Sequence, residues 1–143
     1  MRKITNHIVP GDDALQLEIL VLDEPGTGGA NYVYSVRANF GPKMPNTMLY
    51  EVDDVKVEGD GSWSGELCRV SFQNGPIKEA GVNGVTQEAF LAIVIDRLTS
   101  FQAGPYPSTR NAAALDHCHS ALTDLQARTR DRIARGVEGK TEA

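Results

Sequence analysis

Between a strand-like run and a very apolar helical stretch, residues 72–84 read FQNGPIKEAGVNG. An aromatic ring (Phe72), two side-chain amides (Gln73 and Asn83) and a cation (Lys78) share a span punctuated by three glycines and a proline. Such a set suits a flat, anionic ligand. A ring stacks on a base, an amide reads its edge, and backbone N–H groups at a helix start favour negative charge. The same residues also make an ordinary connector, in which glycines supply positive φ and asparagines cap. Composition leaves both readings open.

A second group lies near the C-terminus, in RTRDRIAR (128–135). On a helix, Arg128, Arg132 and Arg135 share one face. Guanidinium forks match phosphate oxygens, although cations near a helix C-terminus are also favoured by its dipole, by ~0.3–1 kcal/mol each. Other motifs carry less. His117-Cys118-His119 places neighbouring ligands about 100° apart on a helix, so they do not converge on one metal. The glycines of PGTGGA (25–30) lack the Lys-Ser/Thr of a phosphate loop and lead into a strand. Asp12-Asp13 and Asp53-Asp54 are acidic pairs in turns. No nucleophile has an identifiable base and no carboxylate pair sits in an apolar context, so binding is expected rather than turnover, with no catalytic residue, metal or cofactor.

The elements that must position these groups follow from periodicity. The run ALQLEILVL (14–22) alternates Leu15, Leu17, Ile19 and Val21 on one face, and NYVYSVRANF (31–40) alternates Tyr32, Tyr34, Val36 and Ala38, as half-buried strands do. Residues 48–52 form a short strand candidate, and VKVE with WSGELCRVSF reads as a hairpin around Gly59 to Ser62. From Thr86 the period changes. TQEAFLAIVIDRLTSF (86–101) puts Phe90, Val94, Leu98 and Phe101 on one helical face and Leu91 and Ile95 on another. Asn83 or Thr86 can cap its start. A helix apolar on most sides must be covered on most sides, which points to a contact between subunits. A second helix, from Ser108 or Thr109 to Arg135, carries a seam of Leu115, Cys118, Leu122 and Leu125 with Gly136 as its C′ residue.

The expected fold is therefore α+β: one domain over 1–143, with an antiparallel sheet of about four or five strands (14–73), a connector (74–85) and a two-helix hairpin (86–136). The net charge is −5, yet residues 1–71 hold six Lys/Arg against eleven Asp/Glu, whereas residues 72–143 hold eight of each. An anion site belongs in the second half, and DNA is not an expected partner. No apolar run approaches the ~20 residues of a membrane span. Two cysteines without a signal-like start fit a reducing cytoplasm.

FQNGPIKEAGVNGVTQEAFLAIVIDRL, the FQAGP that follows and RTRDRIARGVEG resemble the helical-hairpin domain of phage anti-defence sponges, which block Thoeris and CBASS immunity by sequestering cyclic nucleotide signals. DEPGTGGANYVYSV resembles the β-region of the longer, Thoeris-blocking branch. The resemblance spans roughly 14–139. It implies a non-enzymatic, host-cytoplasmic binder of glyco-cyclic ADP-ribose, with cyclic di- or trinucleotides as further ligands, assembled as a dimer or hexamer with pockets where subunits meet. Carried over by position, it makes Phe72 the base-stacking ring and Asn83 a polar reader in the same pocket, to which the reading of the loop adds Gln73. Arg97, Arg110, Arg128 and Arg132 become phosphate contacts, with Thr129 beside them. The start of the second helix departs from the pattern, because Arg110-Asn111 is kept but the acidic residue expected directly after the arginine is missing. A nucleotide-processing hydrolase and an oligomeric phage scaffold or nucleic-acid binder are the alternatives.

Overall fold

The computed structural model describes residues 1–12, 17–41, 53–57 and 63–136. The expected strand at 48–52, the turn at 59–62 and the first residues of the 14–22 strand lie outside them. Two compact units divide the chain, Met1–Ser71 and Phe72–Ala143.

The first unit is a five-stranded antiparallel sheet in the order β1-β2-β3-β5-β4, from β1 (Arg2–Ile4), β2 (Leu17–Val21), β3 (Val33–Gly41), β4 (Asp53–Val57) and β5 (Trp63–Ser71). β1 is an addition to the expected strands; three residues are too short to show a period. The alternation read in the sequence sets the register. Leu17, Ile19 and Val21 of β2 face Ala38, Val36 and Tyr34 of β3, giving one apolar face. The β2–β3 turn is braced by Asp23, whose carboxylate accepts the N–H groups of Tyr32 (2.9 Å) and Val33 (3.1 Å). Burial pushes that carboxyl up, but the donated amides of Val33 and Tyr32 outweigh it and hold Asp23 below its ordinary value.

The opposite face carries Leu20 and Val33 together with a polar cluster, which an irregularity in β5 organises. Val36 pairs with Cys68 while the next residue, Arg37, pairs with Glu66, leaving Leu67 as a bulge with 42% of its surface exposed. The extra residue turns Glu66 to the same face as Arg69, three positions away, which strict alternation forbids. There Ser35 donates its hydroxyl to Glu66 Oε2 (2.5 Å), and Arg69 donates to the same oxygen (2.9 Å). Ser35 and Glu66 are both buried.

The second unit starts at Phe72, continues through the single turn α1 (Ile77–Ala80), and then forms α2 (Gln87–Ala103) and α3 (Thr109–Ala134). Thr86 caps α2, its hydroxyl accepting the Ala89 N–H, and Ser108 caps α3 by accepting from Asn111. Gly136, at φ 71°, ends α3 as the C′ position requires. α2 and α3 pack together. Their half-buried positions recur at three and four: Glu88, Leu91, Ile95, Leu98 and Gln102 on α2, and Leu115, Cys118, Leu122, Leu125, Thr129 and Arg132 on α3. The seam expected on α3 is thus the packed one. On α2 the packed row is Leu91, Ile95 and Leu98, whereas Val94 and Phe101 stand 41% and 51% exposed beside Ile93. No helix among the described residues is long and apolar enough to cross a membrane.

The Ser35 hydroxyl holds the Glu66 carboxyl below the usual glutamate range; burial opposes this, and Arg69 and Arg37 add to it. The unfolded chain therefore binds this proton more readily than the folded one. The stabilisation is complete above the unfolded glutamate range and is lost as pH falls through the lower folded value. Denaturant midpoints followed from neutral pH into the acid range should decline for the wild type. Glu66→Gln should start less stable and show a flatter decline over that window.

Candidate functional site

The connector after β5 is shaped by side chains bonding to its own backbone. Gln73 N–H donates to Val85 C=O (2.8 Å), and Phe72 and Val85 form an isolated parallel bridge, so the two ends of the loop lie side by side. The Gln73 side chain closes what lies between. Its Nε2 donates to the carbonyls of Gly81 (2.8 Å) and Gly75 (3.1 Å), and its Oε1 accepts the Asn83 N–H (3.0 Å). Asn83 answers from the other end: Oδ1 accepts the Asn74 N–H (2.8 Å) and Nδ2 donates to the Asn74 carbonyl (2.7 Å). Together the two amides make a clasp. Asn83 presents its donor and acceptor to the N–H and C=O of one residue, as a neighbouring strand would, whereas Gln73 bridges the backbone of three.

Two glycines in this loop meet backbone needs no other residue satisfies as well. Gly81 ends α1 at φ 72°. At Gly84 a Cβ would meet the Phe72 carbonyl carbon at 2.3 Å and the Gln73 nitrogen at 2.6 Å, so the close approach of the loop ends depends on the missing side chain. The Phe72 ring then lies against Phe90 on the first turns of α2, with centroids 5.6 Å apart and planes tilted by 57°.

α3 is nine residues longer than α2. At about 1.5 Å per residue it is roughly 39 Å against roughly 26 Å. Thr86 and Glu88 at the start of α2 face Gln126, Thr129 and Arg130 in the last turns of α3 across a cleft of about 390 Å³. This shared lining shows that the helices run antiparallel. The volume lies within the ~300–1,000 Å³ range of small-molecule sites. Among the described residues, Glu88, Gln126, Thr129 and Arg130 make no side-chain hydrogen bond or ion pair. Glu88 and Arg130 line one cleft without pairing, so it holds an acid and a base apart.

The residues singled out from the sequence fall into separate groups within one chain. Phe72, Gln73 and Asn83 come together around the clasp, and Thr129 lines the cleft. Arg128 and Arg132 lie on the same last turns of α3, Arg128 exposed and Arg132 half-buried. Arg97 lies further along α2 with its guanidinium 5.4 Å from the Phe101 ring, and Arg110 stands at the opposite end of α3. The amides of Gln73 and Asn83 are engaged with the loop backbone, so their visible work is to hold its shape. Glu88, Gln126 and Arg130 were missed. A signal was present for one of them: Glu88 is a polar residue at a position where the three-four seam calls for an apolar one.

Comparison with known proteins finds a family match that runs from within β5 through the connector into α3. Residues 65–130 match the model of the Acb2/Tad1 hairpin domain. Over 80 residues the chain is 44% identical to Thoeris anti-defense 1 of Bacillus phage SBSphiJ7. The alignment covers 56% of this chain and 56% of that protein, so the matched stretch spans about half the relative's own length.

Two substitutions test the clasp. Asn83→Ala removes both bonds to Asn74, and amide exchange at Asn74 should accelerate by about tenfold or more, as read by hydrogen exchange. Gly84→Ala forces the loop ends apart and should lower the unfolding free energy by about 1–3 kcal/mol in denaturant titrations.

Proposed function

We propose that this chain, whose residues 65–130 match the Acb2/Tad1 hairpin domain, is an anti-defence sponge: it captures a cyclic nucleotide immune signal and holds it unaltered. The observation that carries the reading is the cleft between the α2 start and the α3 overhang. Four of its polar side chains, Glu88, Gln126, Thr129 and Arg130, are uncommitted among the described residues, and it lies on the segment that matches the family. The name of the 44% identical relative, Thoeris anti-defense 1, supports the same role. The ligand class is glyco-cyclic ADP-ribose, with cyclic di- and trinucleotides as further candidates, encountered in the infected host's cytoplasm.

The physical requirements are those of sequestration. A sponge lowers free messenger by mass action, so it needs low Kd and abundance rather than turnover. A nanomolar Kd corresponds to about −12 kcal/mol. Stacking on Phe72 supplies ~1–3 kcal/mol of this, by analogy with single-strand binders. Charge-assisted contacts to the ligand's phosphates from Arg128, Arg132 and neighbouring guanidinium groups contribute further. Preorganisation adds the rest. The Phe72 ring is set against Phe90, the loop is clasped by Gln73 and Asn83, and a cyclic ligand has little freedom to lose.

Assembly belongs to this reading. Arg97 and Arg110 lie far from the cleft of their own chain, and a second copy, in a dimer or hexamer, is what brings them to a shared pocket. The exposed Ile93, Val94 and Phe101 on α2 are the surface such a copy would cover.

The test is capture and release. Glyco-cyclic ADP-ribose incubated with the protein should disappear from a size filtrate and return unchanged after heat denaturation; recovery of a linear product would make the protein a hydrolase instead. Phe72→Ala should weaken capture by about tenfold or more in calorimetry while leaving the mass in solution unaltered.

A further inference from the structure

We infer that Glu88 is the residue by which this cleft selects a ligand with free ribose hydroxyls. The assignment rests on the capture reading and specifies its chemistry. Glu88 is half-buried, lines the cleft, and makes no bond to any described side chain, although Arg130 lines the same space. A carboxylate kept apart from the available guanidinium retains its acceptor capacity for something else. Ionised, it only accepts, with two oxygens that suit a pair of neighbouring O–H donors. A phosphate oxygen is repelled there and a hydroxyl is held. The same division of labour lets an acidic residue read a ribose hydroxyl in dinucleotide sites.

The rest of the lining agrees with that polarity. Thr86, Thr129 and Gln126 offer neutral donors and acceptors, and Arg130 supplies the one cation among the lining residues. A nucleotide ring, with phosphate on one side and sugar hydroxyls on the other, can meet Arg130 and Glu88 at once without crossing their charges. A ligand that is anionic throughout would meet Glu88 with a like charge.

A competing role is purely structural. Glu88 lies in the first turn of α2, where a negative charge is favoured by the helix dipole. That role predicts the same change in affinity for every ligand, because it acts on the fold.

The experiment uses the full chain, its Glu88→Gln variant, and three probes measured by calorimetry: glyco-cyclic ADP-ribose and its 2″-deoxy and 3″-deoxy analogues, because the second ribose keeps two neighbouring hydroxyls whereas the adenosine ribose spends one in closing the ring. The expected result is that the wild type binds one deoxy analogue at least roughly tenfold more weakly than the parent ring. In Glu88→Gln that ratio should shrink to about threefold or less, since an amide replaces a charged acceptor with a weaker one. Unchanged ratios in the variant, with parent-ring binding intact in the wild type, overturn the assignment alone. Equal weakening for all three probes also overturns it, in favour of the helix-end role. A wild type that binds none of the probes overturns the capture reading and this assignment with it.

Discussion

The second unit depends on a pair of amides that bond to backbone. Gln73 and Asn83 stand at the two ends of a loop rich in turn residues, and their five hydrogen bonds reach Gly75, Gly81, Asn74 and each other's neighbourhood. Without them the chain between Phe72 and Val85 has one short α-turn and a single bridge to define it. With them it is a closed unit whose first residue is an aromatic ring and whose last residues open a helix. Ordering this loop costs backbone entropy. That cost is met during folding rather than at the moment a ligand arrives, which is the physical content of preorganisation.

The clasp also sorts the polar side chains of this unit into two kinds. Those near the loop are engaged internally, whereas Glu88, Gln126, Thr129 and Arg130 face a cleft with their polar ends uncommitted. The cleft itself comes from unequal helix lengths. α2 stops being available to cover α3 beyond its own first turn, so the last turns of α3 extend past it. A hairpin of matched helices would have continued the apolar seam and left no such space. The unpaired acid and base give the cleft two polarities, which suits a molecule with phosphates and sugar hydroxyls in different places.

The sheet unit shows a comparable device. One extra residue, Leu67, lets Glu66 and Arg69 share a face and lets Ser35 reach the carboxylate. The bulge makes a buried charge tolerable, because it arrives with a hydroxyl and a guanidinium already in place. Nothing in the composition of WSGELCRVSF marks where that extra residue falls.

Much of this protein was written locally. Two-residue alternation produced β2 and β3 and their register; Thr86, Ser108 and Gly136 delimited the long helices; and the Leu115, Cys118, Leu122 and Leu125 row became the packed seam. These are effects of neighbours within a few positions, and a linear string records them. What only the tertiary structure decided is which polar groups are engaged and which stay open. Of the two residues that could cap α2, Thr86 does so and Asn83 bonds to Asn74, while Glu88, inconspicuous in a helical run, lines the cleft. The commitment of a side chain depends on what folding places opposite it: for Asn83 a backbone nine positions away, for Glu88 an open cleft whose far wall is the other helix of an antiparallel pair. Periodicity assigns a residue to a face; only the packed chain supplies what the face meets.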